Sequence, residues 1–535
     1  MHIQLFIDEG MGIFEQGSIK YPVAFSHVAQ EFIFDLSARA GLRALRLDPL
    51  DDSTVLDIEQ IALIRNNGDI NLIDRIHANA HAIQQQRYIF ETDDPQLYFT
   101  DLDQRELATA QALRVQIRYA GFGKRILDPD VFDKLLPAYQ AGLDKVAADS
   151  VLVGNVFSVK AWCQQTAAPY HSLSPTQTIE IASPNFIGKE VETLSGQAQT
   201  NELYVAELRQ ARIISKCDVV IVNADTVLYD NLTHSFGATI DLHYEDAIKY
   251  QSPRKLLIDY SDYQTIFAES GIYLAGVTSH HFGHWYLEHL PKMMQLDAIP
   301  AYQNYPLYVD EGMPISHYQC LELMVGGKRS IIKIGAKTTI LFDTLIVAST
   351  YSFCPYHCWP DTTITADFGP TSAGFAAYLR DKLLPAVGLD ATPWPANQTG
   401  RRIFIGRNLI NVRKLTNELE IQTFLARFGF EVIYPELLDF EQQIRIFNAA
   451  EYVIGPGGSA FFNAYFCKQG TKLIIFGKSH VITLASWLNA FTAIGLQHLF
   501  VVGETASAGA VNLHTNYQVP LELVEQALAY YGIDN

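Results

Sequence analysis

The stretch RRIFIGRNLINVRKLTNELEIQTFLARFGFEVIYPELLDFEQQIRIFNAAEYVIGPGGSAFFNAYFCKQGTKLIIFG, residues 401–477, decides how the C-terminal part of the chain folds. Short apolar runs (RIFIG, FEVIYP, YVIGP, TKLIIFG) alternate with segments whose apolar residues recur every three or four positions (NELEIQTFLARFG, FEQQIRIFNAA, SAFFNAYFC). Strands joined through helices must run parallel, because each crossover returns the chain to the same sheet end. The helix starts carry their own signals. Asn417 stands three before Glu420, and Asp439 three before Gln442, both in the pattern of a side-chain N-cap with a reciprocal partner. Gly429 follows the first helix as a C-terminal stop.

Working outward, LLPAVGLDATPWPANQTG at 383–400 holds three prolines and two glycines and reads as a domain boundary. Upstream of it, ARIISKCDVVIVNADTVLYDN, KLLIDY, GIYLAGV, YPLYVD and TLIVAST read as strands with helical stretches between some of them. PYHSLSPTQTIEIASP, from residue 169, reads as a linker or a set of short strands. Residues 1–167 read as a mainly helical extension, on segments such as LIDRIHANAHAIQQQRYIF and RELATAQALRVQIRYAGF. Three regions follow: 1–167, 168–390 and 398–535. A chain of 535 residues also exceeds what one core supports.

Composition narrows the function. The formal charge of −19 repels phosphate backbones and gives no help on anionic lipid, which argues against nucleic-acid binding. Six scattered cysteines in this length point to a reducing compartment. Cys354 and Cys358 (CPYHC) fit no common zinc spacing and read as plain thiols more readily than as a metal knuckle. The start MHIQLFIDEGMG lacks a signal-peptide pattern. The uncharged run from His480 to Gly503 reads as a buried helix and the strand HLFVVG rather than a membrane span. The expectation is a soluble cytoplasmic protein, with peripheral attachment at the inner face of the membrane and self-association through the N-terminal region left open.

Three motifs carry chemistry. In EYVIGPGGSAFFNAYF (451–466) a strand ends in a small-residue turn, Gly457-Gly458, and a helix opens at Ser459. Close backbone approach and the free N–H groups of a helix start favour a phosphate there. The turn is neither GxGxxG nor a Walker A loop, and the alternative is an ordinary strand-to-helix turn. In RRIFIGRNLINVRKLTNELE (401–420), Arg407 lies just past a strand end, with Arg413 and Lys414 in the following loop. Guanidinium groups there suit a diphosphate; the alternative is surface solubility. In TSHHFGHWYLEHLPKM (278–293), a helix from about Gly283 puts His284 and Glu288 on one face, with His281 one turn earlier. Such a pair can serve as a general base with an orienting partner, bind a metal, or simply belong to a core.

Together, in this order, the motifs resemble glycosyltransferase family 61, which covers bacterial capsule and surface-polysaccharide enzymes and eukaryotic xylosyl- and N-acetylglucosaminyltransferases. The matches are His284-Trp285, Leu290-Pro291, Arg407, Arg413, Asn417-Glu418 with Glu420, Phe440 to Gln443, Gly455 to Asn463, and Gly470-Thr471. The family pattern has Asn where His281 stands, His-Gly-Ala where Gly457-Gly458-Ser459 stands, and an acidic residue where Ile475 or Phe476 closes a strand. The resemblance implies a GT-B pair of Rossmann-like lobes, with 168–390 on the acceptor side and 398–535 as the donor lobe. It implies inverting transfer from a nucleotide sugar, a UDP-sugar first, to a glycan or lipid-linked glycan, with no metal and no resident cofactor. The implied site has His284 and Glu288 as acid–base residues. Arg407, Arg413, Lys414, Gly457, Gly458, Ser459 and Asn463 would hold the donor. His281, Trp285, Asn417, Glu418 and Gln442 are further motif positions. Two other readings stay open: a metal-dependent hydrolase using His281, His284 and Glu288, and a non-catalytic sugar-binding or scaffold protein.

Overall fold

The computed structural model describes residues 1–141, 143, 150–189, 196–359, 362, 363, 365–371, 373–394, 399–407, 413–478, 485–505 and 515–533. Two compact units interleave along the chain. Met1–Trp162, Arg212–Ile266 and His357–Trp359 form one; Cys163–Ala211, Phe267–Tyr356 and Pro360–Asn535 form the other.

The first unit is built mainly of antiparallel sheet, which corrects the expected helical N-terminal region. RELATAQALRVQIRYAGF begins as a short capped helix, Gln104–Ala108, and then becomes the long strand Ala110–Phe122. That strand pairs with Thr54–Arg65 and Gln30–Asp35. The reason lies in the period: Leu113, Val115, Ile117 and Tyr119 are every second residue and all fully buried. LIDRIHANAHAIQQQRYIF likewise breaks into a single 3₁₀ turn, Ile73–Arg75, and the strands Ile76–Ala78, Ala82–Gln84 and Arg87–Phe90. A second, five-stranded sheet that includes His2–Asp8 and Ala44–Asp48 packs on the same core through Ile3, Leu5 and Leu47.

The second unit holds the stretch 401–477, and here the sequence reading stands. A six-stranded sheet runs in the order Asn185–Gly188, Gln497–Val502, Lys472–Gly477, Ala450–Pro456, Arg401–Ile405, Phe430–Ile433. Every neighbouring pair is parallel. Alternate residues serve opposite faces. Ile403, Ile405, Val453, Leu473 and Ile475 meet the helices Phe440–Asn448 and Ser459–Phe466. Phe404, Ile454, Ile474 and Phe476 meet Glu418–Ala426 and Leu521–Tyr530.

The last helix therefore covers its own sheet through Val524, Ala527 and Leu528. The edge strand Asn185–Gly188 comes from far upstream and extends the same sheet beside Phe500. The helix caps follow the sequence only in part. Asp439 and Gln442 form the full reciprocal box, and Gly429 ends its helix at φ +75°. Asn417 sits at the cap position without capping, because its amide bonds Val519 on both sides at 2.9 and 3.1 Å.

Elsewhere in this unit, Gln264–Tyr273, Leu307–Asp310 and Ile331–Ile334 are parallel neighbours in that order. The expected short strands after residue 169 are Tyr170–Ser174 and Thr178–Ile181. The run once weighed as a membrane span contains the helix Ala485–Ala493 and the strand Gln497–Val502; its residues 480–484 lie outside the described ones. No helix among the described residues is long and apolar enough to cross a membrane. All six cysteines are free thiols.

Candidate functional site

Counting from residue 401, the sheet order is second, first, third, fourth, fifth. The connections leave the first strand toward one edge and the third toward the other. A crevice opens between their carboxyl ends, the place where open α/β sheets bind ligands. Arg407 follows the first strand, and Gly457-Gly458 follows the third, whose strand runs through Pro456. The crevice thus brings two of the sequence motifs together: Arg407 Nη1 lies 3.4 Å from the Gly457 carbonyl. A Cβ on Gly458 would stand 3.3 Å from the same guanidinium nitrogen, tighter than most contacts.

The turn is a true break between strand and helix. The Gly457 N–H donates to the Phe476 carbonyl at 2.7 Å, and the 3₁₀ helix begins at Ser459. Arg407 is anchored through its backbone N–H to Glu418 Oε1, 3.2 Å away. Burial lowers the pKa of Arg407 and of Arg413, and in Arg413 the nearby Arg407 adds to the fall. Burial raises that of Glu418. Arg413 holds a left-handed φ of +55°, and its Nε is buried without a hydrogen-bond partner among the described residues. Lys414 is exposed, and its backbone is engaged with Asn516 and Tyr517. Residues 408–412, between the two arginines, lie outside the described residues.

The His-Trp motif comes to this crevice from upstream. Phe282–His284 form a helical turn and Trp285–His289 continue it as a π-helical turn, a geometry frequent at functional sites. Gly283 makes the contact: a Cβ there would stand 3.2 Å from Ser459 Cβ and 3.4 Å from the Phe462 ring. Tyr286 stacks on Phe462, with centroids 6.1 Å apart. The helix therefore rests directly on the start of the helix that follows the glycine turn.

As its spacing predicts, His284 Nδ1 meets Glu288 Oε1 at 3.1 Å. Glu288 is only 5% exposed. Its Oε1 also accepts the Cys354 N–H at 2.9 Å, and its Oε2 accepts the Thr278 hydroxyl at 3.1 Å. A carboxylate so surrounded by donors is fixed in place, and an ionised one leaves Nδ1 of His284 as donor. Nε2 then carries the lone pair that can accept a proton.

His281 lies beside them, its ring 6.0 Å from that of His284 and its Nε2 2.8 Å from the Tyr356 hydroxyl. Burial, then the neighbouring His280, His284 and Arg413, hold its pKa down at about 4, so the ring is neutral at pH 7.

Other motif residues serve the frame. Trp285 is fully buried and stacked on His317 at 4.9 Å. Asn463 is fully buried and donates to Gln443 Oε1 at 2.9 Å, which ties two helices together away from the crevice. Gln442 is occupied in its capping box, and Asn417 in its bonds to Val519.

Sequence reasoning missed two groups. Lys478 follows the fourth strand of the run, and Tyr517 lies on a C-terminal strap. Both are buried, Tyr517 near Arg407 and Arg413, and Lys478 near Arg413. The available signal for the lysine was its position just past a strand beside the glycine turn.

Among the described residues no group of three or more His, Cys, Asp or Glu could hold a metal ion. Nothing in this geometry favours the hydrolase alternative.

Residues 282–474 match the family model Glycosyltransferase 61, a span that begins at the His-Trp helix and ends inside the strand after the glycine turn. No curated protein matches the chain at a significant level.

Proposed function

We propose that this chain, a glycosyltransferase through the family 61 domain at residues 282–474, moves a sugar from a nucleoside-diphosphate donor to a glycan hydroxyl in one inverting displacement. The observation that carries the reading is the approach of Gly283 to Ser459, with 3.2 Å left for a Cβ. It brings an acid–base pair to the glycine turn that Arg407 contacts.

In this reading His284 Nε2 takes the proton of the acceptor hydroxyl as its oxygen attacks the anomeric carbon. Glu288 holds the ring and stabilises the imidazolium that forms. The bond to the leaving diphosphate breaks on the opposite face, which inverts the centre. Arg407, Arg413 and the start of the Ser459–Phe466 helix take up the leaving charge, so the step needs no metal. Lys414, exposed at the rim, is a further cation near the donor. The Glu288 carboxylate acting as base itself is the variant of this scheme that mutation of His284 would reveal.

The two parts of the second unit, one centred on Leu307–Asp310 and the other on the six-stranded sheet, are read as acceptor and donor halves of a GT-B-like pair. A UDP-sugar is the donor to try first, and a surface or capsular polysaccharide precursor the acceptor. A thermal-shift screen against UDP-, GDP-, CMP- and TDP-sugars tests the reading, since a ligand that binds the folded state raises its melting temperature. Selective stabilisation by one nucleotide, lost in Arg407→Ala, is the expected outcome. A chain indifferent to all four contradicts it.

A further inference from the structure

We infer that Lys478 is a third phosphate-binding cation of this site, held in place by the strap Thr515–Val519. The inference rests on the transferase reading and extends it to residues outside the matched span, which ends at residue 474.

The glycine turn brings no cation of its own, and its Gly457 N–H is already spent on the Phe476 carbonyl. In the parallel pair, Pro456 lies opposite Phe476. Lys478 follows directly after the neighbouring strand, Lys472–Gly477, at the same sheet end as the glycine turn. It is only 2% exposed, and its ammonium donates to the Thr515 carbonyl at 2.5 Å.

The strap that provides this carbonyl also binds the arginine loop. The Tyr517 N–H donates to the Lys414 carbonyl at 3.0 Å, and the Thr416 N–H donates to the Tyr517 carbonyl at 2.8 Å. The Tyr517 hydroxyl reaches the Phe476 carbonyl at 3.1 Å. One segment thus holds Lys478 and the residues that directly follow Arg413. Burial lowers the pKa of Lys478, and the charge on nearby Arg413 adds to the fall.

Arg413 stands between two other cations, Arg407 and Lys478, and the Oε1 of the nearby Glu418 is occupied by the Arg407 N–H and Gln422. Arg413 is held in a left-handed backbone conformation with a buried Nε that has no hydrogen-bond partner among the described residues. Gathering cations in this way is unfavourable until a multivalent anion arrives. A diphosphate answers all three: guanidinium forks take paired oxygens, and the ammonium supplies a point charge.

The test is calorimetric titration of UDP, UMP and inorganic pyrophosphate into the full chain. Wild type, Lys478→Met, Lys478→Arg and Arg407→Ala are compared. Methionine keeps an unbranched buried stem and removes the charge; Lys478→Gln replaces it if the methionine variant does not fold. The expected result is a loss of about tenfold or more for UDP and pyrophosphate, a much smaller loss for UMP, and recovery in Lys478→Arg. Equal losses for UDP and UMP would mean that the lysine only props the strap, and would overturn the inference. Unchanged UDP affinity in Lys478→Met would do the same, and if Arg407→Ala still loses UDP, the transferase reading survives alone. A wild type that binds no nucleoside diphosphate brings down both.

Discussion

Glu288→Gln is the most informative single change in the acid–base pair. The amide has one acceptor and one donor end, and the surroundings choose its orientation. An NH₂ at the Oε1 position would face the Cys354 N–H, which now donates there at 2.9 Å. The amide oxygen must therefore take that place and keep the bond to His284 Nδ1, now 3.1 Å. The NH₂ then faces the Thr278 hydroxyl, which can turn its own proton to His289 Nε2, 3.1 Å away. The bond to His284 and its tautomer survive, the Thr278 contact reverses direction, and the negative charge is lost.

A unit charge pair at 3.1 Å is worth about 5 kcal/mol at an effective dielectric of ~20. The neutral bond that remains returns about 1 kcal/mol. Transition-state stabilisation should thus fall by at most ~4 kcal/mol, and kcat by ~10²–10³-fold. The assay is initial-rate transfer with saturating donor and acceptor, with donor affinity measured separately by calorimetry. Donor affinity should hold. A kcat within threefold of wild type, or a rate loss matched by lost donor binding, would refute the role assigned to the carboxylate.

Further outcomes follow from other contacts. Arg407→Ala should weaken UDP binding by ~10–100-fold, the worth of one charged hydrogen bond, and unchanged affinity would remove it from the donor site. His284→Ala should lose ~10²–10⁴ in turnover while keeping the donor; near-normal turnover would leave the carboxylate as the base. Asn463→Ala strands the buried Gln443 oxygen and should cost ~1–3 kcal/mol in a denaturant titration, with little change in donor affinity for the variant that stays folded. His317 is 1% exposed and its pKa is pushed down to about 4 by burial. The unfolded chain therefore binds the extra proton between about 4 and ~6.5, and stability must fall as pH drops through that window. His317→Gln should flatten this part of the Tm–pH curve, and an unchanged slope would exclude the histidine as its source.

How much the sequence discloses depends on which contacts make each feature. The donor-side sheet is legible because every strand is a short apolar run closed by its own helix, so local pattern and tertiary topology agree. The pairing of His284 with Glu288 is legible for the same reason, being set by helical spacing. The first unit misleads because alanines and leucines at helical spacing overlie a period of two, and the decisive partners of Val115 and Ile117 are distant strands. Asn417 offers a cap pattern that a segment one hundred residues away outbids. Lys478 is hidden for the same cause: its neighbour Arg413 is close only because two strand ends and the strap bring them together.

The most direct test of the central claim is a structure of the full chain with the nucleoside diphosphate selected by the thermal-shift screen. The account places the diphosphate at the carboxyl ends of Arg401–Ile405 and Ala450–Pro456, against Arg407, Arg413 and the start of the Ser459 helix, with the His284 imidazole facing the sugar side. A diphosphate bound elsewhere, for example in the polar cavity of the first unit lined by Lys124, His243 and Lys249, with the crevice empty, would contradict it.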